Sequence, residues 1–291
     1  MAEELIGIIG GTGLADALAE QLTGAELRDF NTPFGKPSTS VILGRLGDRR
    51  IAFLNRHGTG HKLSPSEVPS AANIFALKKL GVHTLISSGA VGSLRAEITP
   101  GDLVIVDQFI DKTFKRNNTF FAGFGAVHCE MTEPVCAGVR KILVETAEDA
   151  KIKTHPKGTY VCMEGPQFST RAESLMHQAW GCDLVGMTAL PEAKLAREAQ
   201  ICYALIALVS DYDCWRPHNE KKQKQTLLKE IIDNLQTATG NCLELIKAVL
   251  ASEHQLVRED CQCRKSLDLA VWTEPSRIDP IKKKKLDILF E

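Results

Sequence analysis

The chain has 291 residues, 44% hydrophobic and 24% charged, with 35 Lys+Arg against 36 Asp+Glu for a formal net charge of −1. That composition supports a buried core, and the near-zero balance lacks the basic field of a nucleic-acid binder. The longest apolar run, Ile201–Val209, is about half of a membrane-spanning helix, and the acidic Met-Ala-Glu-Glu start lacks the pattern of a secretory signal, so a cytoplasmic protein with no membrane or nucleic-acid partner is expected.

Leu5–Ile9 is a short apolar run that ends in Gly10-Gly11-Thr12-Gly13, and it reads as a buried strand entering a tight loop. Val41–Leu43 and Arg50–Leu54 read as strands on either side of a Gly47-Asp48 turn. Ala71, Ile74 and Leu77 place a helix over Ala71–Leu80, with Gly81 as its stop. Thr84–Ser87 reads as a strand, Gly89–Gly92 as a small-residue loop, Leu103–Val106 as a strand and Val139–Ala150 as a helix. Gly158–Met163 and Asp183–Met187 read as strands, and Pro191–Glu198 as a helix with proline in its first turn. Cys202–Ser210 reads as a central strand ending at Asp211. Leu227, Ile231, Leu235, Ala238, Cys242, Leu245 and Val249 recur at spacings of four and three, which marks one long amphipathic helix.

Strands alternating with helices predict an α/β fold, a mixed sheet covered on both faces, in a single domain over residues 1–250. Residues 251–291 change character and read as an extension packed on that domain or on a neighbouring subunit. They hold Cys261-Gln-Cys263, a strand expected at Leu267–Trp272, and Lys282–Lys285, which reads as a solvated helix face. The nine cysteines are scattered and include no Cys-x-x-Cys pair, so no metal site is expected. They read as buried thiols or, at Cys261 and Cys263, as a local redox disulfide.

Several strand ends carry anion-binding chemistry. Gly11-Thr12-Gly13 misses the dinucleotide fingerprint because Asp16 stands at its third small position, and Phe34-Gly35-Lys36-Pro37 misses the P-loop. A glycine turn after a strand still offers amides and the Thr12 hydroxyl to an anion. Arg56-His57, Gly89-Ala90 and Thr188 are further donors at strand ends, where open α/β sheets bind ligands. Together they point to phosphate. Asp211 and Asp213, one residue apart after an apolar strand, read either as solvated turn residues or a helix cap, or as a site for a heteroaromatic base, one carboxyl donating to a ring nitrogen and the other accepting from an exocyclic amine. Phe168 reads as an aromatic plate or as a core residue.

Ile6–Leu14, Asn31–Ser38, Arg56–Gly58, Gly101–Asp111, Glu164–Glu173 and Gly186–Thr188 together resemble the trimeric purine nucleoside phosphorylase family, most of all its 5′-methylthioadenosine branch. The resemblance runs from about residue 4 to about 218. It implies a nucleoside phosphorylase-like fold, a homotrimer with shared sites, and cleavage of a purine nucleoside by inorganic phosphate with no cofactor or metal. It implies phosphate ligands at Thr12, Arg56, His57, Gly89, Ala90 and Thr188, with His57 and Asp211 catalytic. Met187 lies against the ribose, Phe168 against the base, and Asp211 and Asp213 face N7 and a 6-amino group. His128 resembles a residue lent by the neighbouring subunit. The two aspartates favour adenine, and S-methyl-5′-thioadenosine is the expected substrate. The alternatives are a broader or 6-oxopurine nucleoside phosphorylase, methylthioinosine included, and a silent nucleoside or phosphate binder. Two departures bear on this: Gly89 stands where relatives carry Thr, and Gln223–Thr226 is polar where methylthio-specific relatives carry an apolar residue. The Cys-x-Cys tail resembles members whose cysteines form disulfides.

Overall fold

The computed structural model describes residues 4–11, 13–216 and 224–291, with the backbone only of Ala15 and Asp16. The first half of the chain gives β1 (Leu5–Gly10), α1 (Leu14–Ala19), β2 (Thr23–Arg28), β3 (Val41–Leu46), β4 (Arg49–Asn55), α2 (Ser70–Lys79), β5 (Thr84–Ser93), β6 (Leu103–Ile105) and β7 (Gln108–Lys112). The second half gives α3 (Ala137–Asp149), β8 (Thr154–His155), β9 (Thr159–Met163), α4 (Arg171–Ala179), β10 (Leu184–Gly186), α5 (Ala189–Glu198), β11 (Cys202–Asp211), α6 (Lys224–Ala251) and α7 (Pro280–Leu286).

Among the described residues these strands join one mixed sheet in the order β2-β3-β4-β1-β5-β10-β9-β7, with β11 on the other edge of β5, then β6 and β8. Side chains of β11 alternate between the two faces. Cys202, Ala204, Ile206 and Leu208 pack with α1, α3 and α6, whereas Tyr203, Leu205, Ala207 and Val209 pack with α2, α5 and the tail. Burial on both faces explains why β1 and β11 are continuous apolar runs rather than alternating ones.

β5 positions the site. Its first half pairs with β1 as far as Ser87, and its end pairs with β10 from Gly92. On its other edge the ladder to β11 is unbroken from Thr84 to Val91. The expected loop at Gly89–Gly92 is therefore strand: pairing with β11 holds these small residues extended. On the opposite edge, between the C-terminal ends of β1 and the antiparallel β10, residues 88–91 face an opening in the sheet.

The tail departs from expectation at Leu267–Trp272. Among the described residues it forms one isolated bridge, Val127 to Val271, because residues 266–270 pack as turns rather than extended against the loop before α3. Leu256, Cys263, Leu267, Ala270, Ile278, Leu286 and Leu289 are buried in the two core clusters, and Lys282–Lys285 are exposed on α7. No helix of the described residues is long and apolar enough to cross a membrane.

Candidate active site

A cavity of about 270 Å³ opens where the sheet divides. Arg56, His57, Gly89, Ala90 and Thr188 line it together with Met187, Phe168, Asp211 and Asp213. Thr12 lies outside the described residues, although its neighbour Gly11 lines the same wall.

The anion end is built on Arg56, which follows β4 and is buried to 1% exposure. Its Nε and Nη2 donate to the two carboxylate oxygens of Glu192 at 2.9 and 3.1 Å, Nη2 also to Ser87 Oγ at 2.6 Å, and Nη1 to the Ser88 carbonyl at 2.7 Å. Burial works against the charge, but Glu192 outweighs it and raises the pKa further. Four of the five guanidinium N–H groups are thereby committed, and the fifth, on Nη1, faces the gap between Gly11 and Gly89. A side chain at either glycine would fill that gap: a Cβ on Gly11 would stand 3.2 Å from Nη1, and one on Gly89 3.2 Å from Thr188 Oγ1. Amides alternate from edge to edge along a strand, so the Ala90 N–H points to the same opening as the Ser88 carbonyl. Thr188 precedes α5 without capping it, and it lines the cavity beside Tyr160. Leu190 is not helical, and regular α5 begins at Pro191, as the sequence predicts.

His57 is buried, with Nδ1 2.9 Å from the Leu63 carbonyl and its ring stacked on His61 at 4.3 Å. That contact puts the proton on Nδ1 and leaves Nε2 as an acceptor. Burial first, with the Arg56 and His61 charges adding to it, pushes the pKa down to about 4, so the ring is neutral at pH 7.

The opposite end is carried by β11. Its register to β5 shifts between Val209 and Asp211, and such a bulge re-aims the side chains beyond it. Asn234 Nδ2 on α6 donates to the Ser210 carbonyl there, at 3.1 Å. Asp211 Oδ2 accepts from Ser210 Oγ at 2.7 Å, and Oδ1 from the Asp213 amide at 2.7 Å. Asp213 sits at φ +47°, which bends the chain so that both carboxylates border one cavity. Phe168 is 86% exposed and lines the cavity, which removes the core reading.

A third group holds the walls together, and sequence reasoning passed over it. Arg116 Nη1 donates to the Met187 and Leu190 carbonyls at 2.5 and 2.6 Å, and Nη2 to the Glu164 carbonyl at 2.6 Å. Glu164 accepts from the Phe114 amide at 2.7 Å and from Ser66 Oγ, and it pairs with Arg116. Burial raises its pKa, but these donors prevail and hold it at about 2. Glu192 was also missed. Its signal is a carboxylate inside the apolar stripe of α5, in line with Leu195, Ala196 and Ala199.

Two expectations fall elsewhere. His128 is exposed, against Trp272 at 5.1 Å, and lines a separate concavity with Lys194 and Glu198. Of the polar stretch before Leu227, Gln223 lies outside the described residues, and Lys224, Gln225 and Thr226 are exposed in the first turn of α6.

The family model described as "Phosphorylase superfamily" matches residues 5–251. The chain belongs to that superfamily. Curated relatives named S-methyl-5′-thioadenosine phosphorylase include one from Gloeobacter violaceus, 45% identical over 97% of this chain and 93% of its own. Another, from Cereibacter sphaeroides, is 45% identical over 97% and 96%. A methylthioadenosine phosphorylase from an antarctic soil metagenomic library superposes with a TM-score of 0.89 at 42% identity, covering both chains fully. The Schistosoma mansoni methylthioadenosine phosphorylase solved with adenine gives 0.77 at 36% identity, over 86% of this chain and 91% of its own. As a superfamily member the chain has a nucleoside phosphorylase fold, and its sheet opening matches the strand-end crevice in which such open α/β sheets take ligands.

Proposed function

We propose that the chain is a pentosyltransferase that cleaves S-methyl-5′-thioadenosine with phosphate, giving adenine and 5-methylthioribose 1-phosphate for methionine and purine salvage. The observation that carries this reading is a single cavity with an anion end at Arg56, His57, Ala90 and Thr188 and a base end at Asp211, Asp213 and Phe168, joined along Met187. The names of the relatives support the substrate.

The chemistry follows from the residue types. Arg56 Nη1, the Ala90 amide and Thr188 Oγ1 hold hydrogen phosphate, and neutral His57 accepts its O–H through Nε2. Thr12 completes this ligand set in our reading. Phosphate so fixed attacks C1′ as the C1′–N9 bond breaks and its electron pair passes to the base. Holding both reactants replaces a bimolecular encounter, which is worth up to about 7–11 kcal/mol in well-oriented systems. Asp211 relays a proton to N7, and the proton gained by adenine balances the one lost by hydrogen phosphate. Asp213 accepts from the 6-amino group, and Phe168 stacks on the ring. Inorganic phosphate is the co-substrate, and these steps call for no organic cofactor or metal. A cytoplasmic homotrimer, with His128 reaching into the neighbouring pocket, belongs to the same reading.

The test is purine release from S-methyl-5′-thioadenosine, adenosine and inosine, each with and without phosphate. Phosphate-dependent adenine release, fastest with the methylthio substrate, is the expected result. Asp213→Asn should lower it at least tenfold and raise inosine cleavage. Inosine as the preferred substrate of the unaltered protein would overturn the adenine assignment, and no release from any of the three would overturn the activity.

A further inference from the structure

Four cysteines that are remote in sequence converge far from this pocket. Cys136 stands at the N-terminus of α3, Cys202 opens β11, and Cys261 and Cys263 come from the tail, the latter two around a short 3-10 turn at Gln262–Lys265. Their four Sγ atoms all lie within 4.8 Å of one another, and Cys136, Cys202 and Cys263 are buried. Cys136 Sγ is 3.6 Å from Cys261 Sγ. A tetrahedron of thiolates around zinc, with Zn–S of about 2.3 Å, has S···S edges of about 3.8 Å.

We propose that Cys136, Cys202, Cys261 and Cys263 form a structural tetrathiolate site for a divalent soft metal, zinc in the first instance, which staples the tail to the sheet. The backbone holds the four in place. The Cys136 amide donates to the Tyr203 carbonyl at 2.8 Å, which ties the first ligand to the strand that bears the second. Thr84 Oγ1, on the neighbouring strand, donates to the Leu256 carbonyl at 2.8 Å and anchors the tail shortly before the third. Loading the site replaces four S–H bonds by four metal–sulfur bonds and releases four protons, which leaves the cluster with a charge of −2. Cations stand beside it: buried Arg197 places Nη1 3.5 Å from Cys263 Sγ, and Arg258 borders the adjoining cavity. The amide end of α3 favours thiolate at Cys136 as well. The cavity, of about 150 Å³ and lined by Cys136, Cys202, Cys261 and Arg258, gives a path of entry.

Four protein ligands close the coordination shell, so this metal has no open position for substrate and no catalytic role. Cys202 and Asp211 stand at opposite ends of β11, roughly 30 Å apart. Failure of this site and failure of the proposed activity are therefore separable.

The test uses the full-length protein, grown with zinc and purified under reducing conditions. Elemental analysis should find about one zinc per chain, and cobalt(II) exchange should give the intense visible bands of a tetrahedral thiolate. Chelation should release the metal, free four thiols to titration and lower the melting temperature. Cys261→Ser, the half-exposed ligand, should cut bound zinc at least tenfold, whereas Cys129→Ser, outside the cluster, should leave it unchanged. The cobalt spectrum of the unaltered chain needs no variant to fold. Four free thiols with neither zinc nor a cobalt spectrum would overturn the proposal, and so would disulfides among the four in protein kept from oxidants.

Discussion

His57 shows how surroundings set a residue's role. On its sequence position alone it reads as a donor to phosphate beside Arg56. In its place it is a neutral ring with Nε2 left as an acceptor, because burial and the Arg56 guanidinium both oppose a second positive charge. Arg56, held by Glu192 on two nitrogens, carries the charge instead. The assignment has a pH signature. The folded ring binds its proton more weakly than the unfolded one, so between about 6.5 and about 4 the unfolded chain holds more protons. The stabilisation from a neutral His57 is therefore complete above about 6.5 and is lost as pH falls towards about 4. Histidine NMR should show a ring titrating near 4 that disappears in His57→Asn, a control needed because His83 is held equally low. A His57 resonance titrating near 6.5 would refute the neutral-acceptor role.

At the scale of elements, the close approach of β5 and the end of β11 shapes the base end. A Cβ on Gly92 would stand 3.1 Å from Asp213 Cβ and 3.2 Å from Asp211 Oδ1. The glycine lets both carboxylates sit against the strand. Val185 Cγ1 would stand equally close at 3.2 Å, so in Gly92→Ala these three side chains must give by a few tenths of an ångström, and none of them belongs to the anion end. We expect kcat/KM for the nucleoside to fall roughly tenfold, with KM for phosphate little changed. Equal losses for both substrates would mean that the strand, rather than the carboxylate pair, had moved. Elements buried on both faces were legible in the sequence: β1, β11 and the heptad-like stripe of α6 announce themselves by apolar runs or period. β2 was not, because its side chains are all exposed and leave no alternation to read, and half-buried β7 mixes polar and apolar residues. Arg56, His57, Thr188 and the aspartates were legible because strand ends mark ligand sites. Glu192 and Arg116 were not, because their partners are distant in the chain: Arg116 reaches carbonyls 71 and 74 residues away. The cysteine cluster escaped for the same reason, since spacing rules find only ligands that are close in sequence.

The whole molecule poses a question that its parts do not. Phe168 lines the cavity yet is 86% exposed, so the described residues leave that wall largely open to solvent. His128 lines a different concavity of the same chain and forms an edge-to-face pair with Trp272, which is 73% exposed. A residue that serves a site away from its own surface must come from another copy, and a head-to-tail contact of this kind closes into a ring in which every chain gives once and receives once. On this reading, sedimentation at micromolar concentration should give three chains of 31.9 kDa. His128→Ala should keep that mass and lower kcat/KM for the nucleoside roughly tenfold. The decisive measurement mixes two parents, one with about a tenth of full activity and one without its base-end carboxylate. His128→Ala chains keep their own aspartates, and Asp211→Asn chains keep a sound His128. Unfolded together and refolded, they should regain activity, because some sites then combine an intact pocket with an intact donor. No recovery in mixed oligomers, or a stable monomer with full activity, would place each site wholly within one chain.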